Sequence, residues 1–102
     1  MRLIVMFDLP TTSPAYRRAY TKFRKFLLND GYDMIQFSIY GRIINGRDAE
    51  EKHLRRLRSH LPIEGSIRSM TVTEKQYSGI KLLVGERQNQ EKKVDARQLL
   101  LF

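Results

Sequence analysis

The sequence predicts an α+β domain, a ferredoxin-like βαββαβ sandwich with an extra C-terminal strand. Three observations predict it. An apolar strand opens the chain, two amphipathic helices follow at a distance from one another, and strand-like segments separate and succeed them. Such a fold covers one face of an antiparallel sheet with both helices. Because the other face is left uncovered, we expect self-association into a homodimer.

The first strand covers residues 2–7 and stops at Asp8. A carboxylate at the end of an apolar strand must be hydrated, hydrogen-bonded or bound to a cation. One interpretation is a turn residue ahead of Pro10, since Asp is common in turns. The other is a site that meets phosphates with the help of a metal, because many basic residues follow.

The first helix is predicted from Pro14 to about Asn29, with Ser13 as its N-cap and Gly31 just beyond its end. Tyrosine, phenylalanine and leucine side chains at spacings of three and four make one apolar face. No acid occurs between Ser13 and Asn29. The outer face is therefore cationic, and its candidate phosphate-binding residues are Arg17, Arg18, Lys22 and Lys25.

The strongest strand pattern covers residues 34–44 as one run. Ile35, Phe37 and Ile39 alternate in it with polar and aromatic side chains. The alternation predicts an outward row on the uncovered sheet face, formed by Gln36, Ser38 and Tyr40.

A second helix is predicted from a capping box at Asp48 and Glu51 to a stop at Pro62. Leu54, Leu57 and Leu61 are expected to face the core. Three late arginines suit the helix dipole and are a second set of candidate phosphate contacts: Arg55, Arg56 and Arg58.

Two further strands are expected at residues 67–73 and 80–84. A polar connector at 85–98 and an apolar end at 99–102 follow, which divides the chain into a ferredoxin-like domain (1–84) and a docking segment (85–102). An apolar tetrapeptide is costly to leave in water, so it should pair with its own sheet edge or with a second copy.

Composition favours nucleic acid as the partner. The chain has 102 residues and a net charge of +8, and it has no cysteine. Lysines and arginines displace condensed counterions from phosphates, although an anionic membrane surface or an acidic protein would also attract them. Thiolate metal sites are excluded, no apolar stretch reaches the length of a membrane span, and a cytoplasmic location is expected.

A hydrolytic metal site normally needs several oxygen ligands, and Mg²⁺ is usually held by one or two carboxylates with waters and phosphate oxygens. Near the first strand the sequence offers only Asp8. A two-fold dimer could supply Asp8 of the second copy across one cleft. His53 and His60 are seven residues apart, too far to share a metal, and no serine has a histidine nearby for nucleophilic catalysis.

The pattern as a whole resembles the small CRISPR-associated protein family numbered two (Cas two). The resemblance rests on the strand that ends in Phe7-Asp8, on Arg17-Arg18 early in the first helix, and on Gly31-Tyr32 followed by the run from Gln36 to Tyr40. It covers nearly the whole chain. The Thr-Thr-Ser-Pro segment and the long first helix look most like members from type II loci.

The resemblance implies a ferredoxin-like homodimer whose C-terminal strand packs on the partner protomer. It implies a structural role in spacer acquisition, in which the dimer bridges copies of the integrase subunit and contacts duplex DNA. It also implies a metal-dependent endonuclease on RNA or DNA, with Asp8 holding Mg²⁺. The chain departs from the family pattern at Met34, where some members carry arginine, and at Phe7, where many carry tyrosine.

Two alternatives remain open from the sequence. A ribonuclease toxin of similar fold would cause growth arrest that Asp8→Ala abolishes. A plain RNA-binding ferredoxin-like module is less well supported, because the row from Gln36 to Tyr40 offers one aromatic side chain for stacking.

Overall fold

The fold is an antiparallel four-stranded sheet with two long helices on one face. In the computed structural model, which describes residues 1–85, the elements are β1 (Arg2–Asp8), α1 (Pro14–Asn29), β2 (Asp33–Gln36), β3 (Ile39–Ile43), α2 (Arg47–Arg58), β4 (Ser66–Val72) and α3 (Glu74–Ser78). The strand order is β2-β3-β1-β4, which confirms the predicted ferredoxin-like βαββαβ arrangement. The C-terminal strand predicted at 99–102, with nearly all of its connector, lies outside the described residues.

Side-chain alternation along β1 separates the two faces of the sheet. Leu3, Val5 and Phe7 are buried in the cluster that includes Phe23 and Leu27 of α1. The intervening residues lie on the opposite face, which we call the open face because neither long helix packs on it. Along β1 and its two neighbours the open face contains Arg2, Ile4, Met6 and Asp8, together with Ile39, Gly41 and Ile43 of β3 and Ser66, Arg68, Met70 and Val72 of β4.

The first helix confirms the sequence prediction at both ends. The Ser13 hydroxyl accepts a hydrogen bond from the Tyr16 amide at 3.1 Å, and Pro14 occupies the first turn. After Asn29 the chain leaves the helix through Asp30 and Gly31, and the glycine adopts a φ of 94° that other residues rarely take.

The single strand predicted at 34–44 is wrong. A two-residue turn at Phe37-Ser38 divides this run into β2 and β3, which pair with each other. The faces assigned to this run are also wrong, because Met34 and Tyr40, which pair with each other across the turn, both pack on the helix side. Tyr40 is consequently buried on the helix side, whereas Phe37, expected to be apolar and inward, is 81% exposed.

The second helix differs from prediction at each end. It begins at Arg47 after Gly46, which has a φ of 91° and provides no side-chain cap, so the capping box at Asp48 is not formed. It ends at Arg58, four residues before Pro62. Leu57 is buried and Leu54 packs against the core as expected. Leu61 lies beyond the helix and is 45% exposed, so its predicted core position is wrong.

The C-terminal part of the described chain contains a helix where a connector was expected. The strand predicted at 67–73 is confirmed as β4, whereas residues 80–84 form no strand in the described structure. Thr73 and Gln76 form a capping box that starts α3, with hydrogen bonds of 3.0 and 2.9 Å. Arg2 fastens this helix to β1, because its guanidinium pairs with Glu74 at 2.9 Å and lies 3.9 Å from the centre of the Tyr77 ring.

Candidate acidic site and nucleic-acid interface

Asp8 is the last residue of β1 and lies on the open face, opposite Ser66 of β4. Its side chain is exposed to solvent, and within residues 1–85 no hydrogen-bonding group contacts the carboxylate. A solvated carboxylate at a strand end, without a hydrogen bond in the described part of the chain, can bind a cation or a hydrated ligand. The interpretation that Asp8 only shapes a turn has no hydrogen bond to support it in this part of the chain.

Two loops fix the end of β1 beside Asp8. The Phe7 amide donates a hydrogen bond of 3.0 Å to the Ser38 carbonyl in the β2–β3 turn. Gly65 lies against the other side with a φ of 103°, and a Cβ there would come within 2.8 Å of the Asp8 carbonyl oxygen. Only glycine fits this position without displacing the backbone, so the sequence at 65 helps to hold Asp8 in place.

The neighbour Phe7 does not contribute to this site. Its ring faces the helix layer, at centroid distances of 5.2 Å from Phe23 and 5.7 Å from Tyr40. A tyrosine hydroxyl at position 7 would enter this buried aromatic cluster rather than the solvent around Asp8. The departure from the family pattern at residue 7 therefore changes the core and not the acidic site. Met34, the second departure, also packs against the core.

For a metal ion at the Asp8 site, one chain supplies one carboxylate. No group of three or more His, Asp or Glu side chains in residues 1–85 is placed to hold an ion. This donor set fits Mg²⁺ only in its commonest protein form, in which one or two carboxylates hold the ion and waters and substrate phosphates complete the shell. It does not fit a closed structural site.

The predicted cations of α1 lie together on its solvent side. Arg17, Arg18, Lys22 and Lys25 are exposed, and with Pro14 and Thr21 they line a shallow depression along the first three turns. The Arg17 guanidinium also donates to the Thr11 carbonyl at 3.1 Å, which anchors that side chain at the start of the helix. We call these four residues the α1 cationic stripe. Because α1 covers the opposite face of the sheet, the stripe and the Asp8 carboxylate lie on different sides of the protein.

The arginines of α2 divide into two kinds. Arg55 and Arg58 are exposed, as expected of phosphate contacts. Arg56 instead binds Asp30, through Nε at 2.7 Å and a second, closer contact from its terminal nitrogen. The hydrogen bonds to Asp30 raise the pKa of Arg56. This side chain already joins α2 to the end of α1, so we assign it to the fold and keep the other two as candidate contacts.

Sequence reasoning missed a buried polar cluster around Asp30. Its Oδ2, the Tyr32 hydroxyl and the His53 Nδ1 are buried and have no hydrogen-bond partner among residues 1–85, and His53 lies 3.9 Å from the carboxylate. Burial, and then the Asp30 charge, raise the pKa of Tyr32 to about 12. Burial and the Arg42 guanidinium lower the pKa of His53. The only sequence signal was an acid directly before Gly31, which reads equally well as an ordinary helix end.

The row predicted from Gln36, Ser38 and Tyr40 does not exist as a surface. Gln36 is exposed at the end of β2, Ser38 lies in the turn, and Tyr40 is 1% exposed in the core. The Tyr40 hydroxyl accepts a hydrogen bond from Arg24 of α1 at 2.8 Å. This part of the motif therefore connects the hairpin to the helix layer, and Tyr40 does not contribute to the open face.

No helix within residues 1–85 is both long and apolar enough to cross a membrane. Among solved structures, the crystal structure of Streptococcus pyogenes Cas2 at pH 6.5 superimposes with a TM-score of 0.65 at 20% identity, covering 82% of this chain and 100% of that one. This likeness agrees with the fold described above.

Sequence comparisons give the family. The chain is 66% identical over 102 residues to a protein of Acidovorax ebreus named CRISPR-associated endoribonuclease Cas2, with both chains covered completely. A protein of the same name from Streptococcus mutans is 43% identical over 101 residues, covering 99% of this chain and 93% of its own. The sequence model of the family described as CRISPR associated protein Cas2 matches residues 1–80, so this chain belongs to that family.

Proposed function

We propose that the protein is a dimeric structural subunit of the CRISPR spacer-acquisition complex, where it binds duplex DNA and bridges copies of the integrase subunit. The observation that carries the proposal is the α1 cationic stripe, found in a chain that belongs to the Cas2 family. Four exposed cations without an acid on the same helix form a surface that attracts phosphates. Without a bound anion these like charges repel one another, so their clustering favours an anionic ligand.

The stripe suits the backbone of a duplex rather than its bases. Its side chains project from a helix that packs on the sheet, and lysine and arginine neutralise phosphates whatever the sequence between them. Binding should therefore be insensitive to DNA sequence and should weaken steeply as salt rises. Arg55 and Arg58 extend the same cationic character to α2, on the same side of the sheet.

A charge reversal in the stripe tests this part of the proposal. Lys22→Glu should lower duplex affinity and reduce the slope of log K against log salt by about one or more, because one phosphate contact becomes a repulsion. The matched control is Lys75→Glu in α3, an exposed lysine outside the stripe with the same change in charge. Equal losses in both variants would mean that net charge, and not the stripe, binds DNA.

We propose further that Asp8 is the acidic residue of a Mg²⁺-dependent endonuclease site, completed by Asp8 of the second copy. The support is its solvated position on the open face, where a phosphodiester can approach without entering the core. Bound Mg²⁺ would polarise the scissile phosphate and lower the pKa of a coordinated water. Asp8 itself would hold the ion and orient it toward the phosphate. The two relatives are named endoribonucleases, which makes RNA the first substrate to test.

The proposed homodimer uses the open face. Ile43 and Met70 are 60% and 49% exposed there, beside the partly buried Met6 and Ile39. Further apolar side chains follow α3 and are also exposed: Ile80, Leu82, Leu83 and Val84. Covering both groups with a second copy would remove a large apolar area from water. The same contact would bring two Asp8 carboxylates toward one cleft.

A further inference from the structure

Phe37 is exposed in a way that the other described phenylalanines are not. Its side chain is 81% accessible, whereas Phe7 and Phe23 are buried and Phe26 packs against the core. A large aromatic side chain left in water gains nothing for the fold. A small polar residue would suit this turn position equally well. The exposed ring is therefore better explained by contact with a ligand or a partner than by the fold.

The turn that carries Phe37 is connected to its neighbours by strand pairing and by a backbone hydrogen bond. Gln36 pairs with Ile39 across it, and Ser38 adopts a left-handed φ of 66° in the turn. The Ser38 carbonyl also accepts the hydrogen bond from the Phe7 amide at 3.0 Å. The backbone turn that presents Phe37 is therefore already formed, so it would not have to be ordered when a ligand binds.

The position of the turn places Phe37 at the end of the sheet where Asp8 lies. The residue bonded to the turn, Phe7, directly precedes Asp8. On the other side of β1, Arg68 lies opposite Met6 on the open face, next to the Ser66–Asp8 pair, and is exposed. An acid, a cation and an aromatic ring thus occur together at one end, on three adjacent strands or their turns.

These three groups match the parts of an unpaired nucleotide. We propose that Phe37 is a base-stacking residue beside Asp8, on whose ring one unpaired base of a nucleic-acid ligand packs. Arg68 would take a backbone phosphate, and a base freed from pairing would stack on the Phe37 ring. A duplex keeps its bases stacked inside, so it could use the cations but not the ring. The inference rests on the proposed nucleic-acid function and adds to its nuclease site a residue that positions the substrate.

The chain contains no tryptophan, so Phe37→Trp introduces a single tryptophan at the turn, whose emission can be excited selectively in the presence of the five tyrosines. The probe is a single-stranded, non-cleavable 2′-O-methyl oligouridylate of about ten nucleotides, a length that suits a single-strand site. We expect its binding to quench the tryptophan emission. Asn45→Trp is the matched control, because Asn45 is exposed at the opposite end of β3 and its fluorescence should not change.

Affinity measurements complete the test. Phe37→Ala and Phe37→Leu should each weaken binding of the oligouridylate by roughly tenfold or more, as the loss of one aromatic stack does, and Phe37→Tyr should restore it. Duplex DNA affinity should stay unchanged in all three variants. Failure of Phe37→Leu to weaken binding would overturn stacking, because leucine retains the apolar contact but not the ring.

Three results would overturn the inference in distinguishable ways. If wild-type protein binds the oligouridylate without quenching at Phe37→Trp, the stacking site is wrong and the proposed function stands. If Phe37→Ala converts a dimer to a monomer in sedimentation velocity, the ring contacts a second copy instead. If wild-type protein binds neither the oligouridylate nor duplex DNA, the proposed function fails as well.

Discussion

At the scale of single residues, two unusual backbone conformations hold the acidic site in place. Ser38 has a left-handed φ of 66° in the β2–β3 turn, and Gly65 has a φ of 103° against the Asp8 carbonyl. Glycine tolerates such values freely, whereas serine adopts them at a cost of order 1 kcal/mol. The turn next to Asp8 is therefore maintained against local strain, which the pairing of β2, β3 and β1 compensates.

Substitutions at Ser38 should reveal this strain. Ser38→Gly should raise the free energy of unfolding by up to about 1 kcal/mol, because glycine removes the steric cost of the positive φ. Ser38→Val should lower it by about 1–2 kcal/mol, since a β-branched side chain tolerates this region least. Urea unfolding monitored by circular dichroism measures both. A glycine variant less stable than wild type would mean that the serine hydroxyl, not the backbone, stabilises the turn.

His53 gives the stability of the protein a dependence on pH. Burial and the Arg42 guanidinium lower its pKa below the ordinary 6.5, with smaller contributions of the same sign from Lys52 and Arg56, and the Asp30 carboxylate only partly opposes them. The unfolded chain therefore takes up a proton near pH 6.5, while the folded protein does so only at lower pH. Unfolding then binds a proton, and stability falls as pH drops below about 6.5.

Replacing His53 should remove this contribution. His53→Gln is expected to show a shallower loss of stability between about pH 6.5 and pH 5 than wild type, because its side chain does not titrate. Chemical denaturation at a series of pH values provides the measurement, and His60→Gln is the matched control. Identical pH slopes in wild type and the His53 variant would contradict the assignment of the effect to this buried ring.

At the scale of elements, helix ends marked by local residues could be predicted from the sequence, whereas boundaries that depend on tertiary context could not. Ser13-Pro14 at the start of α1 and Gly31 beyond its end mark that helix without reference to the rest of the fold. The turn at Phe37-Ser38 contains no glycine, asparagine or proline, and its one serine is too weak a turn signal to separate β2 from β3. The faces assigned to Phe37 and Tyr40 were interchanged for a different reason, because alternation alone does not tell which face of a strand the helices cover, and here they cover the face of Met34 and Tyr40.

The same distinction applies to the candidate site. Asp8 and the α1 cationic stripe follow from a strand end and a helix face, which sequence periodicity locates. The ion pair between Arg56 and Asp30 joins residues 26 positions apart, and no local pattern reports such a contact. The α3 capping box at Thr73 and Gln76 could be recognised in the sequence, but the five-residue helix that follows is too short to show periodicity.

The capping box should control the order of α3. Thr73→Ala should destabilise this helix by about 1 kcal/mol, because the amide of Gln76 loses its acceptor. Amide hydrogen exchange should then become faster in residues 74–79 while protection in α1 is retained. Uniform acceleration throughout the protein would instead mean that α3 and the sheet open together, with the Arg2–Glu74 pair as the connection.

At the scale of the whole molecule, the sheet separates two surfaces of different chemistry. The helix layer presents the α1 cationic stripe, and the open face presents apolar side chains with Asp8 at one end. We expect the first to bind duplex DNA and the second to meet a partner copy. Substitutions on one side of the sheet should therefore leave the function of the other side intact, since the two surfaces share no side chains.

The dimer expectation is tested on the open face. Met70→Glu places a charge in the middle of β4 at a position 49% exposed in the single chain, so the fold should tolerate it. Burial in a dimer would make the same charge costly, and the variant should sediment as a monomer at concentrations where wild type is dimeric. Lys75→Glu serves as the control. A Met70→Glu variant that remains dimeric would place the interface elsewhere.

The most direct test of the account is cleavage of a single-stranded oligoribonucleotide by wild-type and Asp8→Asn protein, measured with and without Mg²⁺ at equal protein concentration. Asparagine preserves the shape of the side chain and removes its charge, so the fold and duplex DNA binding should be unchanged. The account predicts Mg²⁺-dependent cleavage by wild type and a loss of about 100-fold or more in the variant, as removal of a metal-holding carboxylate causes. Equal cleavage by both proteins would contradict it and remove Asp8 from the site.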